Sequence, residues 1–180
     1  MLNQLLELDT RLSARMRLPA QKSPLRTAAI FFAHSGDSWF LMAGLAIIWL
    51  FSHGAQRVLS AKFAFAIVVQ AILVLVIKFT IRRSRPEGDW GGIYRSTDPH
   101  SFPSGHAARA AMLSFIATFV FSPWMDFLLA LWAVLVGTAR IALGVHYLVD
   151  VIGGWLIGIV IGALMLAIFP LLSQNFPLIF

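Results

Sequence analysis

The residues best suited to chemistry lie in three short stretches. In ARIALGVHYLVD, residues 139–150, His146 precedes Asp150 by four positions. If a helix has begun there, the two side chains share one face and the carboxylate can accept a ring N–H. That fixes the imidazole tautomer and leaves the other nitrogen free as a nucleophile. In PSGH, residues 103–106, His106 stands at the head of an apolar run, where it could donate a proton to a leaving oxygen. Ser104 and Gly105 occupy the same helix start, where unpaired backbone N–H groups and the positive end of the helix dipole favour an anion. A glycine there lets the anion come close. KFTIRRSRP, residues 78–86, contributes Lys78 and Arg85, and Arg140 adds a further cation. Guanidinium groups grip phosphate oxygens in pairs, so the predicted occupant is a phosphate.

These residues must be carried to one place, and the composition says by what. The 180 residues are 59% hydrophobic and 12% charged, with a mean hydropathy of +0.81, far from the values of soluble domains. The chain reads as an integral membrane protein. Apolar runs recur at about 39–52, 61–79, 107–121, 124–141 and 147–170, most of them near or just below the ~20 residues that cross a bilayer as a helix. The predicted fold is an all-α polytopic bundle, one domain over residues 1–180 with about five transmembrane helices. LRTAAIFFAH, residues 25–34, would add a half-span and a sixth crossing before the polar HSGDS break at 34–38.

Chain direction then places the motifs, all of which fall within residues 78–150. One helix ends at KFTIRRSRP and the next begins after FPSGH, so the loop over 82–105 keeps both motifs on one face. Ser122 and Pro123 turn the chain back. The following helix returns Arg140 to the starting face, and the last helix leaves from there with His146 and Asp150. Antiparallel threading thus gathers Lys78, Arg85, Ser104, His106, Arg140, His146 and Asp150 at one end.

The N-terminal MLNQLLELDTRLSARMRLPA carries Glu7, Asp9, Arg11, Arg15 and Arg17, which argues against a cleaved signal peptide. Leu2, Leu5, Leu6, Leu8, Leu12 and Met16 fall near helical spacing, so residues 1–24 read either as an interfacial helix or as a loosely ordered tail. Cysteine is absent, which excludes disulfides and thiolate chemistry. The net charge is +6, and Arg82, Arg83, Arg85, Arg95, Arg109 and Arg140 cluster around loops beside the apolar runs. With no nucleic-acid module in sight, the anionic partner is expected at the membrane surface rather than as nucleic acid.

Plain structural roles account for other polar and small residues. Arg82 and Arg83, taken singly, read as snorkelling anchors. His34, His53 and His100 read as hydrogen-bonded interfacial residues, and Ser104 as a helix cap as well as a phosphate contact. Gly153, Gly154, Gly158 and Gly162 suit tight helix packing. Trp39, Trp49, Trp90, Trp124, Trp132 and Trp155 suit interfacial or packing positions.

Together the three motifs resemble those of the type 2 phosphatidic acid phosphatase superfamily: Lys, six residues, Arg-Pro; PSGH; and Arg, five residues, His, three residues, Asp. The resemblance implies a metal-independent phosphatase without a cofactor, working through a phosphohistidine. His146 would be the nucleophile, Asp150 would orient it, and His106 would protonate the leaving group. Lys78, Arg85 and Arg140 would hold the phosphoryl oxygens, assisted by Ser104 and Gly105. It also implies a lipid phosphate or lipid diphosphate substrate among the membrane lipids, of the phosphatidic acid, phosphatidylglycerophosphate or polyprenyl diphosphate type. Ala139 stands where the family often has serine or glycine, which would remove a secondary phosphate contact.

Two rivals stay open: a lipid phosphotransferase on the same scaffold, and a non-catalytic protein that binds or transports anionic lipid. The second leaves the His146–Asp150 pair and the placement of His106 unexplained. Charge and resemblance point to opposite faces. If residues 1–38 do not cross, Arg11, Arg15, Arg17, Lys22 and Arg26 lie on the active-site face and outnumber Arg57 and Lys62 opposite, which would make that face cytoplasmic. The resemblance implies a bacterial inner membrane with the site toward the outer face, and that is the expectation adopted.

Overall fold

The structure, a computed structural model, describes residues 2–87, 98–177 and 179–180; Trp90 and Arg95 lie outside them. The helices are α1 (Leu2–Met16), α2 (Pro24–Ser35), α3 (Ser38–Phe51), α4 (Gly54–Ile81), α5 (Gly105–Ala117), α6 (Pro123–Ala142) and α7 (Leu148–Asn175). Pro24 and Pro123 open α2 and α6, where a fixed φ and a missing N–H cost nothing.

Among the described residues, α4, α6 and α7 are long and apolar enough to cross a membrane. The α2–α3 pair, bent by 58° at a short break, makes a fourth span if taken as one. The predicted half-span over 25–34 is therefore the first limb of a bent pair. The run at 107–121 yields the 13-residue α5, about 20 Å long at 1.5 Å per residue and too short to cross alone. Helix length is tied to bilayer thickness where lipid flanks the helix. From Ala107 to Ser114 every residue of α5 is buried, so protein, not lipid, surrounds it.

The closest packing in the bundle joins α5 to α7. Gly154, Gly158 and Gly162 recur every four residues and face the alanine-rich side of α5. A Cβ on Gly154 would come within 2.7 Å of the Ser104 carbonyl oxygen, and one on Gly158 would run into the Ala108 backbone. Small residues on both helices let the backbones approach, which is the packing role expected of these glycines. Its effect is to join the two helix starts: the Ser104 N–H donates to the Asp150 carbonyl at 2.9 Å. Below this contact, Phe63 and Ile67 of α4 pack with Met112 and Ile116 of α5 and Ile161 and Met165 of α7. Ala139 packs with Ala29 and Ala33, joining α6 to α2.

The N-terminal segment is helical rather than loosely ordered. Leu5, Leu6, Leu8, Leu12 and Met16 lie outward, whereas Asp9 and Ser13 are buried against the bundle.

Candidate active site

At the end of α4 the backbone of Arg82 turns left-handed, with φ 53°. The chain doubles back, so Ser84 pairs with His100 and the Ser101 N–H donates to the Arg83 carbonyl at 2.8 Å. Lys78 and Arg85 then meet at one carboxylate. Lys78 Nζ donates to both oxygens of Asp98 at 2.7 Å, and Arg85 Nη2 donates to Oδ2 at 2.6 Å. A lysine and a guanidinium thus converge on a two-oxygen anion, the arrangement a phosphate would also accept.

His146 is held by the turn after α6. Gly144, with φ +70°, lets the chain reverse where the Arg17 side chain packs against it. The N–H groups of Val145 and His146 both donate to the Arg140 carbonyl, at 3.0 and 3.3 Å, so one turn fixes Arg140 and His146 together. His146 Nε2 lies 3.4 Å from Arg85 Nη1. Its Nδ1 lies 3.5 Å from Asp150 Oδ2, within ion-pair range but without a hydrogen bond. The pair is not built on a shared helical face, because α7 begins only at Leu148; Asp150 instead caps that start, accepting from the Tyr147 N–H at 2.8 Å. Burial, reinforced by the fields of Arg140, Arg85 and Lys78, holds the His146 imidazole well below its ordinary pKa. It is therefore neutral at pH 7, with an unprotonated nitrogen.

His106 heads α5 behind the N-cap Ser104, whose hydroxyl accepts from the Ala107 N–H at 3.5 Å. Spacing offers His106 no carboxylate, but the fold supplies one: His106 Nε2 lies 2.7 Å from Asp37 Oδ1. Asp37 comes from the α2–α3 break, which Arg109 pins by donating to the Gly36 carbonyl at 2.6 Å. His34 is also tied to Asp37, at 3.1 Å. The one sequence clue to Asp37 was an acidic residue in a polar interruption between apolar runs.

Arg83 requires a correction. It is not a snorkelling anchor: Nη1 donates to Asp150 Oδ1 and Nη2 to Asp9 Oδ2, both at 2.6 Å. Its guanidinium also lies 4.2 Å over the Tyr147 ring. Asp9 lies 74 residues from Arg83, beyond the reach of any spacing rule.

Two cavities adjoin these groups. One of about 340 Å³ opens beside His146, walled by Thr10, Arg17, Pro86, Glu87 and Tyr147. The other, about 730 Å³ and almost wholly apolar, begins at Ser35 beside the α2–α3 break and runs past Leu45, Leu59, Ile67 and Trp132.

The sequence matches the PAP2 superfamily over residues 59–173. The chain belongs to the PAP2 superfamily. This PAP2 protein is 28% identical over 142 residues to an undecaprenyl-diphosphatase of Sulfolobus acidocaldarius, covering 77% of this chain and 68% of the relative. It is 33% identical over 100 residues to phosphatidylglycerophosphatase B of Bacillus subtilis, covering 50% of this chain and 48% of that protein. Its fold matches the crystal structure of a transmembrane PAP2-type phosphatidylglycerolphosphate phosphatase from Bacillus subtilis with a TM-score of 0.74 at 27% identity, over 92% of this chain and 86% of the other. The crystal structure of Aquifex aeolicus LpxE matches with a TM-score of 0.67 at 28% identity, over 90% and 94%. The PAP2 protein is an integral membrane phosphatase.

Proposed function

We propose that this protein hydrolyses a phosphomonoester or diphosphate of a membrane lipid through a phosphohistidine on His146. The observation that carries the reading is the setting of the two ring nitrogens: Nε2 lies 3.4 Å from Arg85, and Nδ1 faces the Asp150 carboxylate at 3.5 Å. In the first step Nε2 attacks phosphorus, the bond to the leaving oxygen breaks, and His106 supplies that oxygen with a proton. Burial and the Arg140 charge lower the His106 pKa to about 3 against the pull of Asp37; the negative charge of a bound phosphate would add to that pull and supply the protonated imidazole the step needs. Lys78, Arg85 and Arg140 hold the phosphoryl oxygens as charge builds. In the second step His106 takes a proton from water, which attacks phosphorus and breaks the P–N bond. Orthophosphate leaves and His146 is restored.

The cavity beside His146 is lined in part by Thr10, Arg17 and Glu87 and could hold the attacking water, which supports hydrolysis over transfer to a second lipid. The apolar cavity beside the break carrying Asp37 would take an aliphatic tail, and the relatives named for lipid phosphates and diphosphates support that substrate class. The proposed setting is a bacterial inner membrane with the site outward. A single cysteine at Glu87 should then react with an impermeant maleimide in intact cells, and protection would reverse the assignment.

The mechanism is tested by acid quenching during turnover of a labelled lipid phosphate. The wild type should yield an acid-labile phosphoenzyme, and His146→Ala should yield none. A labelled His146→Ala protein would show that the nucleophile lies elsewhere.

A further inference from the structure

The inner side of α1 meets the start of α7 with a set of polar contacts that the proposed phosphoryl transfer does not itself require. Asp9 and Ser13 are buried, although they belong to a helix whose leucines lie outward. Ser13 Oγ accepts from the Leu148 N–H at 2.8 Å, and Asp9 Oδ1 accepts from the Val149 N–H at 3.1 Å. These are first-turn donors of α7, which have no carbonyl partner within their own helix. The other Asp9 oxygen takes one arm of the Arg83 guanidinium at 2.6 Å, and the second arm goes to Asp150 at 2.6 Å. The Tyr147 ring covers the guanidinium face at 4.2 Å.

We propose that Arg83 and Asp9 are positioning residues for phosphoryl transfer, and that α1 is the arm through which they hold Asp150, and hence His146, in place. The inference rests on His146 being the nucleophile. A fully buried carboxylate such as Asp150 is costly without a cation or several donors. The Tyr147 N–H engages Oδ2, the oxygen nearest His146, and Arg83 engages Oδ1. Two fixed oxygens leave the carboxylate one rotamer, and that rotamer sets where its charge faces His146 Nδ1, which lies 3.5 Å from Oδ2 and has no hydrogen-bond partner of its own among the described residues. Arg83 needs fixing in turn, because a single ion pair leaves a guanidinium free to swing about its stem. Asp9 closes the fork, and the capping bonds of Asp9 and Ser13 anchor α1 to the helix that carries Asp150. Burial disfavours the Arg83 charge, but the carboxylates of Asp9 and Asp150 outweigh it and hold its pKa above the ordinary guanidinium value.

The test measures kcat and KM of the full chain in lipid micelles for Asp9→Asn, Arg83→Gln and the double variant, with His146→Ala as reference. Partners that orient a metal-bound histidine typically contribute about 10-fold to 100-fold to activity, and the same order is expected for Arg83, which acts on His146 through Asp150. A loss of that size is expected in kcat for Arg83→Gln, with a smaller loss for Asp9→Asn and KM within about twofold of wild type for both. Because Asp9 acts through Arg83, the double variant should be no slower than Arg83→Gln alone. Folded variants with wild-type kcat, or losses that multiply in the double variant, would overturn the arm. If Arg83→Gln does not fold, Asp9→Asn, nearly isosteric and still able to accept from Val149, decides by itself: wild-type kcat overturns the proposal and reduced kcat at constant KM supports it. A phosphoenzyme in His146→Ala would instead overturn the nucleophile assignment, whatever the other variants do.

Discussion

Asp37→Asn gives the sharpest view of the proposed leaving-group step. The substitution keeps the side-chain volume and one oxygen acceptor and removes the charge that faces His106 across 2.7 Å. Both side chains are largely withdrawn from water, at 15% and 17% exposure, so solvent can replace little of the lost interaction. A hydrogen bond to a charged partner is worth about 1.5–3 kcal/mol net. At about 1.4 kcal/mol per decade of rate this predicts roughly a 10-fold to 150-fold loss of kcat/KM. The loss should depend on the leaving group. An alkyl lipid phosphate, whose alkoxide must be protonated as it departs, should show all of it, and an aryl phosphate, whose phenolate leaves without a proton, should show little. The assay is kcat/KM for the two substrates in the same micelles, wild type against variant. Equal losses for both would refute the assignment of Asp37 and His106 to proton donation, and an unchanged rate for the lipid would refute any part for Asp37.

Arg140→Lys keeps the charge but loses the planar pair of donors, so steady-state kcat should fall by about 100-fold or more; near-wild-type kinetics would remove Arg140 from the phosphate set. The His146 imidazole is held well below its ordinary 6.5. A group so depressed stays neutral as pH falls through 6.5, so phosphoenzyme formation from an aryl phosphate should show no inflection there; a fall centred on that value would mean that His146 titrates normally. Exhaustive chelation should leave turnover intact, since the proposed roles employ only His, Asp, Lys and Arg, and restoration of a chelated, inactive enzyme by magnesium or zinc would sink the mechanism. Long-chain lipid phosphates should be turned over well above glucose 6-phosphate at matched bulk concentration, as the tail holds the substrate in the membrane with the enzyme. Equal turnover of the two would contradict a lipid substrate.

What the sequence determined by itself is whatever local spacing and apolar length encode. Long runs of apolar residues imply membrane helices because backbone groups in lipid must bond within their own segment, and α4, α6 and α7 follow from that. Antiparallel threading brings the ends of successive helices together, which is why Lys78, Arg85, Ser104, His106, Arg140, His146 and Asp150 could be assigned to one end before any coordinates. The glycines at 154, 158 and 162 advertised close packing through their four-residue repeat. Only the tertiary structure decided which charges meet. Asp37 reaches His106 across 69 positions, and Asp9 reaches Arg83 across 74, distances over which no helical or strand period persists. Arg83 looked like an anchor because a span-end arginine has the same local sequence whether it faces headgroups or two buried carboxylates. The length of α5 was hidden for a related reason: an apolar run has the same composition against lipid as against protein, and only the neighbours decide whether the helix must match the bilayer.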